Sequence, residues 1–139
     1  MKGQYLTIEY VIFFAIGISL VIGIYFIFND INSKLKDTAL QGQIDRVSEM
    51  IRSNIIRVYY GAKNTNSDIK YKIDIPPKLS GNIYTIRILE NGLNINSTDN
   101  YNIGKILNLY GINIELDGII YSTKGKINII ANKDGVVLN

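Results

Sequence analysis

The sequence predicts an α+β protein: a long N-terminal helix, transmembrane in its first half and amphipathic in its second, followed by a small antiparallel β-sheet head. Three observations predict it. Residues 11–28, VIFFAIGISLVIGIYFIF, carry no charge. Residues 29–60 place apolar side chains at steps of three and four, with no proline before Pro76. Beyond residue 67 the apolar period becomes two, punctuated by Asn-Gly and Asp-Gly pairs. A length of 139 residues accommodates one small domain besides such a helix.

The uncharged run comes first. Its 18 residues, at ~1.5 Å each, extend about 27 Å, close to the ~30 Å hydrocarbon core of a bilayer. Tyr10 on one side and Asn29-Asp30 on the other carry it to the two interfaces. A cleaved secretory signal has a shorter apolar stretch and small residues at its cut, whereas Tyr25, Phe26 and Phe28 stand at that place here. Residues 4–29 therefore read as a transmembrane helix, 30–60 as its amphipathic continuation and 61–139 as an extracellular head. Lys2 and the N-terminal amine precede the span, opposed only by Glu9, and a mixed set (Asp30, Lys34, Lys36, Asp37) follows it. The positive-inside rule then puts the N-terminus in the cytoplasm and the head outside, a single-pass cell-membrane topology. Gly17 and Gly23, with the small side chains of Ala15 and Ser19, are candidate helix-packing positions, because small residues let helix backbones approach in lipid.

The second half of the helix carries Ile31, Leu35, Ala39, Leu40, Ile44, Val47, Met50, Ile51, Ile55 and Val58 as one apolar stripe, with Lys34, Lys36, Arg46, Arg52 and Arg57 mostly off it. Gly42 is its soft point, where a bend is expected. Residues 61–67, GAKNTNS, read as a polar breaker. Ile69, Tyr71, Ile73 and Ile75 then alternate with Lys70, Lys72 and Asp74 as a strand ended by Pro76-Pro77. Residues 83–89 and 93–96 flank Asn91-Gly92, a two-residue hairpin signal. Residues 112–116 and 119–122 flank Asp117-Gly118, a second such signal, and residues 126–131 precede Lys133-Asp134-Gly135 and a final Val-Val-Leu. The expected head is a meander of short antiparallel strands with the helix covering one face.

The chemistry available is sparse. With no cysteine and no histidine, thiolate nucleophiles, disulfides, zinc sites and most general-base catalysis are excluded. Asp68, Asp74, Glu90, Asp99, Glu115, Asp117 and Asp134 are scattered, and none forms a calcium-loop pattern. No phosphate-binding loop, dinucleotide fingerprint or nucleophile elbow occurs, so no enzyme and no cofactor are expected. A net charge of +3, dispersed without interleaved aromatics, does not predict nucleic-acid binding. Asn96-Ser97-Thr98 is the only N-glycosylation acceptor pattern, usable if the head is extracellular. Ten tyrosines supply amphipathic wall and core packing or an adhesive surface.

Lys2-Gly3-Gln4, then Glu9-Tyr10, then an unbroken apolar helix, resembles the N-terminus of archaeal type IV pilin-like proteins. The resemblance implies a short basic leader (residues 1–3) ending in Gly3, cut by a prepilin-type peptidase on the cytoplasmic side so that Gln4 becomes the first mature residue. It further implies that the helix stays in the mature subunit as the filament core, and that Glu9 pairs with the new amine of a neighbouring subunit. Counted from Gln4, Glu9 is sixth where the family usually has its acid fifth; a cut after Gln4 would restore the spacing and abandon the usual glycine. The stretch from Ile75 through Pro76, Gly81 and Tyr84 is also similar to a strand–Pro–Gly–x–x–Tyr segment of pilin-like secreted archaeal proteins, and a plain loop between two strands accounts for it equally. The function so implied is a pilin-like subunit, minor subunits included, of a type IV pilus-like surface filament, partnered by the membrane and by other pilin-like subunits. The alternative is a membrane-anchored surface or secretion accessory protein that is never cleaved and never polymerises.

Overall fold

The computed structural model describes residues 2–89, 92–116 and 118–139, with side chains from Leu6 onward. Glu90, Asn91 and Asp117 lie outside the described residues, as do the side chains of Gly3 and Gln4. The chain forms two compact units, Met1–Asp37 and Thr38–Asn139. Helix α1, Lys2–Thr65, runs through both and passes Gly42 without a break.

In the first unit every large apolar side chain from Leu6 to Phe28 is exposed, as are Ile31 and Leu35. The second unit buries its part of the helix. Leu40, Ile44, Val47, Ile51, Ile55, Val58 and Ala62 are all buried, at steps of three and four that keep them on one face. The stripe read from residue 31 onward is therefore two stripes. The buried one begins at Leu40, with Ala39 exposed, and the five-residue step from Leu35 to Leu40 breaks the helical spacing.

Residues 61–67 do not break the helix where the polar composition suggested. Gly61 and Ala62 are helical, Ala62 is fully buried, and a Cβ on Gly61 would meet Ile69 Cδ1 at 3.2 Å. Packing of the last turn on the following strand outweighs the weak propensity of glycine there. The stop falls at Asn66, in the left-handed conformation (φ 50°), with the Ser67 amide donating to Ala62 O at 3.2 Å. That six-to-one bond closes a Schellman-type cap, and asparagine tolerates the required φ.

Eight strands follow: β1 (Ile69–Asp74), β2 (Tyr84–Leu89), β3 (Gly92–Ser97), β4 (Gly104–Leu107), β5 (Ile114–Leu116), β6 (Ile120–Tyr121), β7 (Lys126–Ala131) and β8 (Val136–Leu138). They form two four-stranded sheets ordered β1-β7-β8-β5 and β4-β3-β2-β6. Strands β2 and β3 pair antiparallel, as do β7 and β8, in keeping with the expected hairpins, but Leu89 stands opposite Gly92, so Gly92 opens β3 instead of forming a turn with Asn91, which lies outside the described residues. The meander expected from the sequence is corrected in two places. Strand β5 pairs parallel with β8 in one sheet while β6 pairs with β2 in the other, so residues 112–122 are no hairpin but the crossing between sheets. Gly118, at φ 80°, supplies the left-handed residue for that crossing. Both sheets and the buried helix stripe share one apolar core, with Ile73, Ile127, Ile129 and Leu138 from the first sheet and Tyr84, Ile86, Leu93 and Ile95 from the second.

Two polar clusters pin the core. The Tyr84 hydroxyl donates to Pro76 O at 2.9 Å, and the Ser122 hydroxyl donates to Pro77 O at 2.7 Å while accepting the Tyr84 amide. Burial pushes the Tyr84 phenol above its ordinary value. Between these anchors, Leu79 and Asn82 exchange two backbone bonds around Ser80 (φ 47°) and Gly81 (φ 86°), the positive pair that a primed two-residue turn requires. On the second sheet, Lys105 Nζ donates to Glu49 Oε1 at 3.1 Å and lies 3.5 Å from Asp45 Oδ1 on α1.

The hydrogen bond to Glu49, with the nearby Asp45 charge, raises the Lys105 ammonium against a smaller lowering by burial. A raised lysine stabilises the fold in full below its unfolded value, about 10.4, and that contribution fades as pH climbs through the folded value. The wild-type head is therefore expected to lose stability above about pH 10.4 more steeply than K105M, by a modest amount because the groups are partly exposed. Chemical denaturation of both proteins at pH 8 and pH 11.5 measures this, and parallel losses would remove the ion cluster from the account.

Ser48 offers a second check. It is fully buried among the stripe residues, and its hydroxyl has no partner among the described residues. An unpaired buried hydroxyl costs about 1–3 kcal/mol. S48A is thus expected to leave the melting temperature unchanged or raise it by a few degrees. A clear drop would show the hydroxyl to be satisfied.

Candidate functional site

No three acidic side chains gather into a metal-holding group among the described residues. The features left to explain are surfaces, and the largest is the first unit itself. One helix is long and apolar enough to cross a membrane, and none of its apolar window is covered by the rest of the chain. Between Glu9 and Asp30 there is no charged residue, a stretch of about 30 Å at helical rise, the thickness of the hydrocarbon core.

The sequence-predicted site residues fall along this helix as follows. Gly3 and Gln4 lie in its first turn. Glu9 is exposed and has no hydrogen bond or ion pair among the described residues. Its neighbours one turn on, Ile12 and Phe13, are apolar, so no cation on its own helix within that reach can neutralise it. A carboxylate so placed is tolerated at the interface or against a partner from another molecule.

Gly17 and Gly23 do not share a face, since six residues at 100° each place them about 120° apart. Gly23 instead aligns with Ala15 and Ser19 at four-residue steps, and the Ser19 hydroxyl is turned back onto Ala15 O at 2.9 Å. The Ala15–Ser19–Gly23 line is a small-residue face with its one polar group already satisfied, the kind of surface on which membrane helices approach closely. Gly17 makes a separate notch, lined by Phe13, Phe14 and Val21. No Cβ added at either glycine would meet another atom within 4 Å, so within the single chain neither is required for packing.

Asn96 stands on β3, an inner strand of the second sheet, between Thr85 of β2 and Gly104 of β4. It is half-buried, with its amide lying over Gly104, where any Cβ would collide with it. Ser97 is buried and the Thr98 hydroxyl donates to Ile83 O at 2.8 Å. The acceptor pattern is thus on a strand rather than in an open loop.

One surface of the second unit was not singled out from sequence. The end of β2 (Ile88, Leu89), Ile106 of β4 and Leu109, Tyr110 and Ile112, with Asn108 and Asn113, line an open groove of about 1040 Å³. A smaller hollow of about 280 Å³ continues it to Arg52, Ile56 and Tyr60 of α1, sharing Leu109, Tyr110 and Ile112. Gly111 (φ 80°) and the bond from the Ile112 amide to Leu109 O make a type II-like turn there. The turn holds Tyr110 at its apex, 89 % exposed. The available sequence signal was weak: Leu-Tyr-Gly-Ile sits between strands too short to show a period, so the four residues read only as a connection. No protein-family model, curated protein or solved structure matches the chain.

Proposed function

We propose that this chain is a pilin-like subunit of a type IV pilus-like surface filament, held in the membrane by its apolar helix before assembly and packed through the same helix afterwards. The observation that carries the reading is an exposed membrane-length helix, with one acid (Glu9) at its head that has no partner among the described residues, and a C-terminal half that packs into the core of a folded domain. An anchor alone needs only the apolar length. An acid at the head of the span, and a small-residue face at Ala15, Ser19 and Gly23, are what a helix needs when it must exchange lipid for copies of itself. In this reading a prepilin-type peptidase removes residues 1–3, the head faces outside the cell, and Glu9 meets the freed amine of a neighbour.

Mass spectrometry of the mature N-terminus in membranes and in sheared surface material tests it. The expected product begins at Gln4, or at Tyr5 if the cut restores the usual acid spacing, in both fractions. An intact Met1 in both, or a terminus beyond Phe28, would exclude the filament role and leave the anchor or a secreted head.

A further inference from the structure

The first sheet ends in two unpaired strands, β1 on one side and β5 on the other. Their outward backbone groups follow from the ladders behind them. The Ile75 amide donates to Gly125 O at 2.9 Å, one step beyond the β1–β7 register. Bonded and non-bonded pairs alternate in an antiparallel ladder, so Ile69, Tyr71 and Ile73 face β7 and the backbone groups of Lys70 and Lys72 turn outward. On the other edge the Val136 amide donates to Asn113 O at 2.8 Å. Glu115, two residues on, therefore faces β8, and the backbone groups of Ile114 and Leu116 turn outward. The Leu116 carbonyl takes the Gly118 amide. The Leu116 amide and both groups of Ile114 have no backbone partner among the described residues. Such edges are templates for another strand.

We infer that the β5 edge of one copy pairs in parallel with the β1 edge of a second copy, setting Glu115 opposite Lys70. Direction, register, charge and apolar contact agree on this pairing. Strand β1 is antiparallel to β7, β7 to β8, and β8 is parallel to β5, so β1 and β5 run the same way. Copies held in one membrane by the same helix also point the same way, and side by side they bring these two edges together in parallel. In a parallel pair one residue bonds to both neighbours of the residue opposite it. The Lys70 amide and carbonyl then meet Ile114 O and the Leu116 amide, which places Lys70 opposite Glu115. Within one copy Lys70, Ile130, Val137 and Glu115 already form a single row across the sheet, so the new register continues that row without stagger. Lys70, Lys72 and Glu115 are exposed and have no ion pair among the described residues. In the joined sheet Glu115 faces Lys70 directly and Lys72 on the diagonal, both within reach of long side chains. On the opposite face Ile69 meets Ile114 and Tyr71, 45 % exposed, meets Leu116, covering side chains that each copy alone leaves half-open. Because the two edges differ, each copy keeps one of each after joining, so the contact propagates as a ring or a filament. This contact rests on the filament reading for its setting and adds a head-to-head bond to it.

The absence of cysteine makes the test clean. Full-length Y71C and L116C, opposite one another in this register, are expressed separately and together in cell membranes and treated with a short bis-maleimide. The pair expressed together should give a crosslinked dimer at least tenfold above either variant alone. A second pair, Y101C with L116C, uses an exposed tyrosine away from both edges and should stay at background. Adding K70E and K72E to the Y71C chain should lower the mixed dimer several-fold, and adding E115K to the L116C chain should restore it. Equal dimer from Y71C alone, which is β1 pairing with β1, or a charge reversal that E115K does not rescue, overturns the contact. No mixed dimer in cells that display filaments also overturns it while leaving the filament reading in place. Mixed dimer in cells without filaments upholds the contact and overturns the filament reading instead; absence of both overturns both.

Discussion

Replacing Glu9 with alanine is expected to abolish assembly while leaving the protein in the membrane. The two effects separate because the acid acts oppositely in the two states. In the lone membrane helix, Glu9 is a carboxylate with only apolar residues one turn on and no partner among the described residues. Removing it makes insertion no harder, since an acid near a span costs up to about 3 kcal/mol if it enters the hydrocarbon. In an assembly it would face an amine from a neighbour, and deleting one member of a buried ion pair strands the other at about 3–5 kcal/mol. At ~1.4 kcal/mol per tenfold, that weakens each subunit contact by more than a hundredfold. E9A membranes should therefore hold at least wild-type amounts of the chain, with filaments below detection by electron microscopy and shear fractionation. E9D, which keeps the charge on a shorter stem, should recover part of the yield. Wild-type filaments from E9A would remove charge pairing from the mechanism, and loss of the chain from the membrane fraction would show that Glu9 serves insertion instead.

What the sequence revealed, and what it hid, follows from the range of the interactions concerned. Strand β1 was legible because Lys70, Lys72 and Asp74 alternate with Ile69, Tyr71 and Ile73, and the β2–β3 pair because two apolar runs flank a tight-turn signal, although that signal placed Gly92 in the turn and the register places it in β3. The apolar span was legible for a similar reason, since eighteen uncharged residues are a local fact. Strand β4 was missed: Gly104-Lys105-Ile106-Leu107 is short, opens with glycine, and has its lysine on the helix side, bonded to Glu49 56 residues earlier. The separation of β5 from β6 was missed because Asp117-Gly118 carries a hairpin signal while the partners that win, Val136–Leu138 and Thr85–Ile86, are distant in sequence. The helix outlasted its polar stretch because burial of Ala62 and the approach of Ile69 to Gly61 are tertiary facts. The groove was invisible for the same reason, its lining being drawn from two separated stretches, Ile88 to Gly92 and Ile106 to Ile114. Glu9 and the small residues of the span could be found from sequence, but sorting Gly17 from the Ala15–Ser19–Gly23 face required the helical phase.

The largest stability loss is expected from Gly92→Ala, and it bears on the groove as well as on the fold. Gly92 opens β3 at φ 139°, a backbone conformation that side chains resist. A Cβ there would strike the carbonyl oxygen of Leu107 and come within 3.0 Å of its carbonyl carbon. Both are backbone atoms of β4, fixed because Leu93 beside Gly92 pairs with Leu107 in the β3–β4 ladder. No rotamer change relieves the clash, so the strand pair must open or the backbone must distort. Conformational strain and overpacking each cost about 1–3 kcal/mol, giving about 4 kcal/mol together. Against a domain stability of about 5–15 kcal/mol this is a large fraction, and for a unit near one hundred residues it corresponds to a melting shift of about 20 °C. Gly81→Ala provides the control, because Gly81 has φ 86° but open space around it. That substitution carries only the conformational cost, about 1–2 kcal/mol. Thermal melts of the full chain in detergent, followed by circular dichroism, should therefore rank wild type above Gly81→Ala and both well above Gly92→Ala. The β3–β4 ladder holds Leu107, two residues before the turn Leu109–Ile112 that carries Tyr110, so the groove should open in the Gly92→Ala chain along with the ladder. If the two glycine variants melt together, the close approach of β3 to β4 at Leu107 is not the feature that organises this end of the sheet, and the groove would need another support.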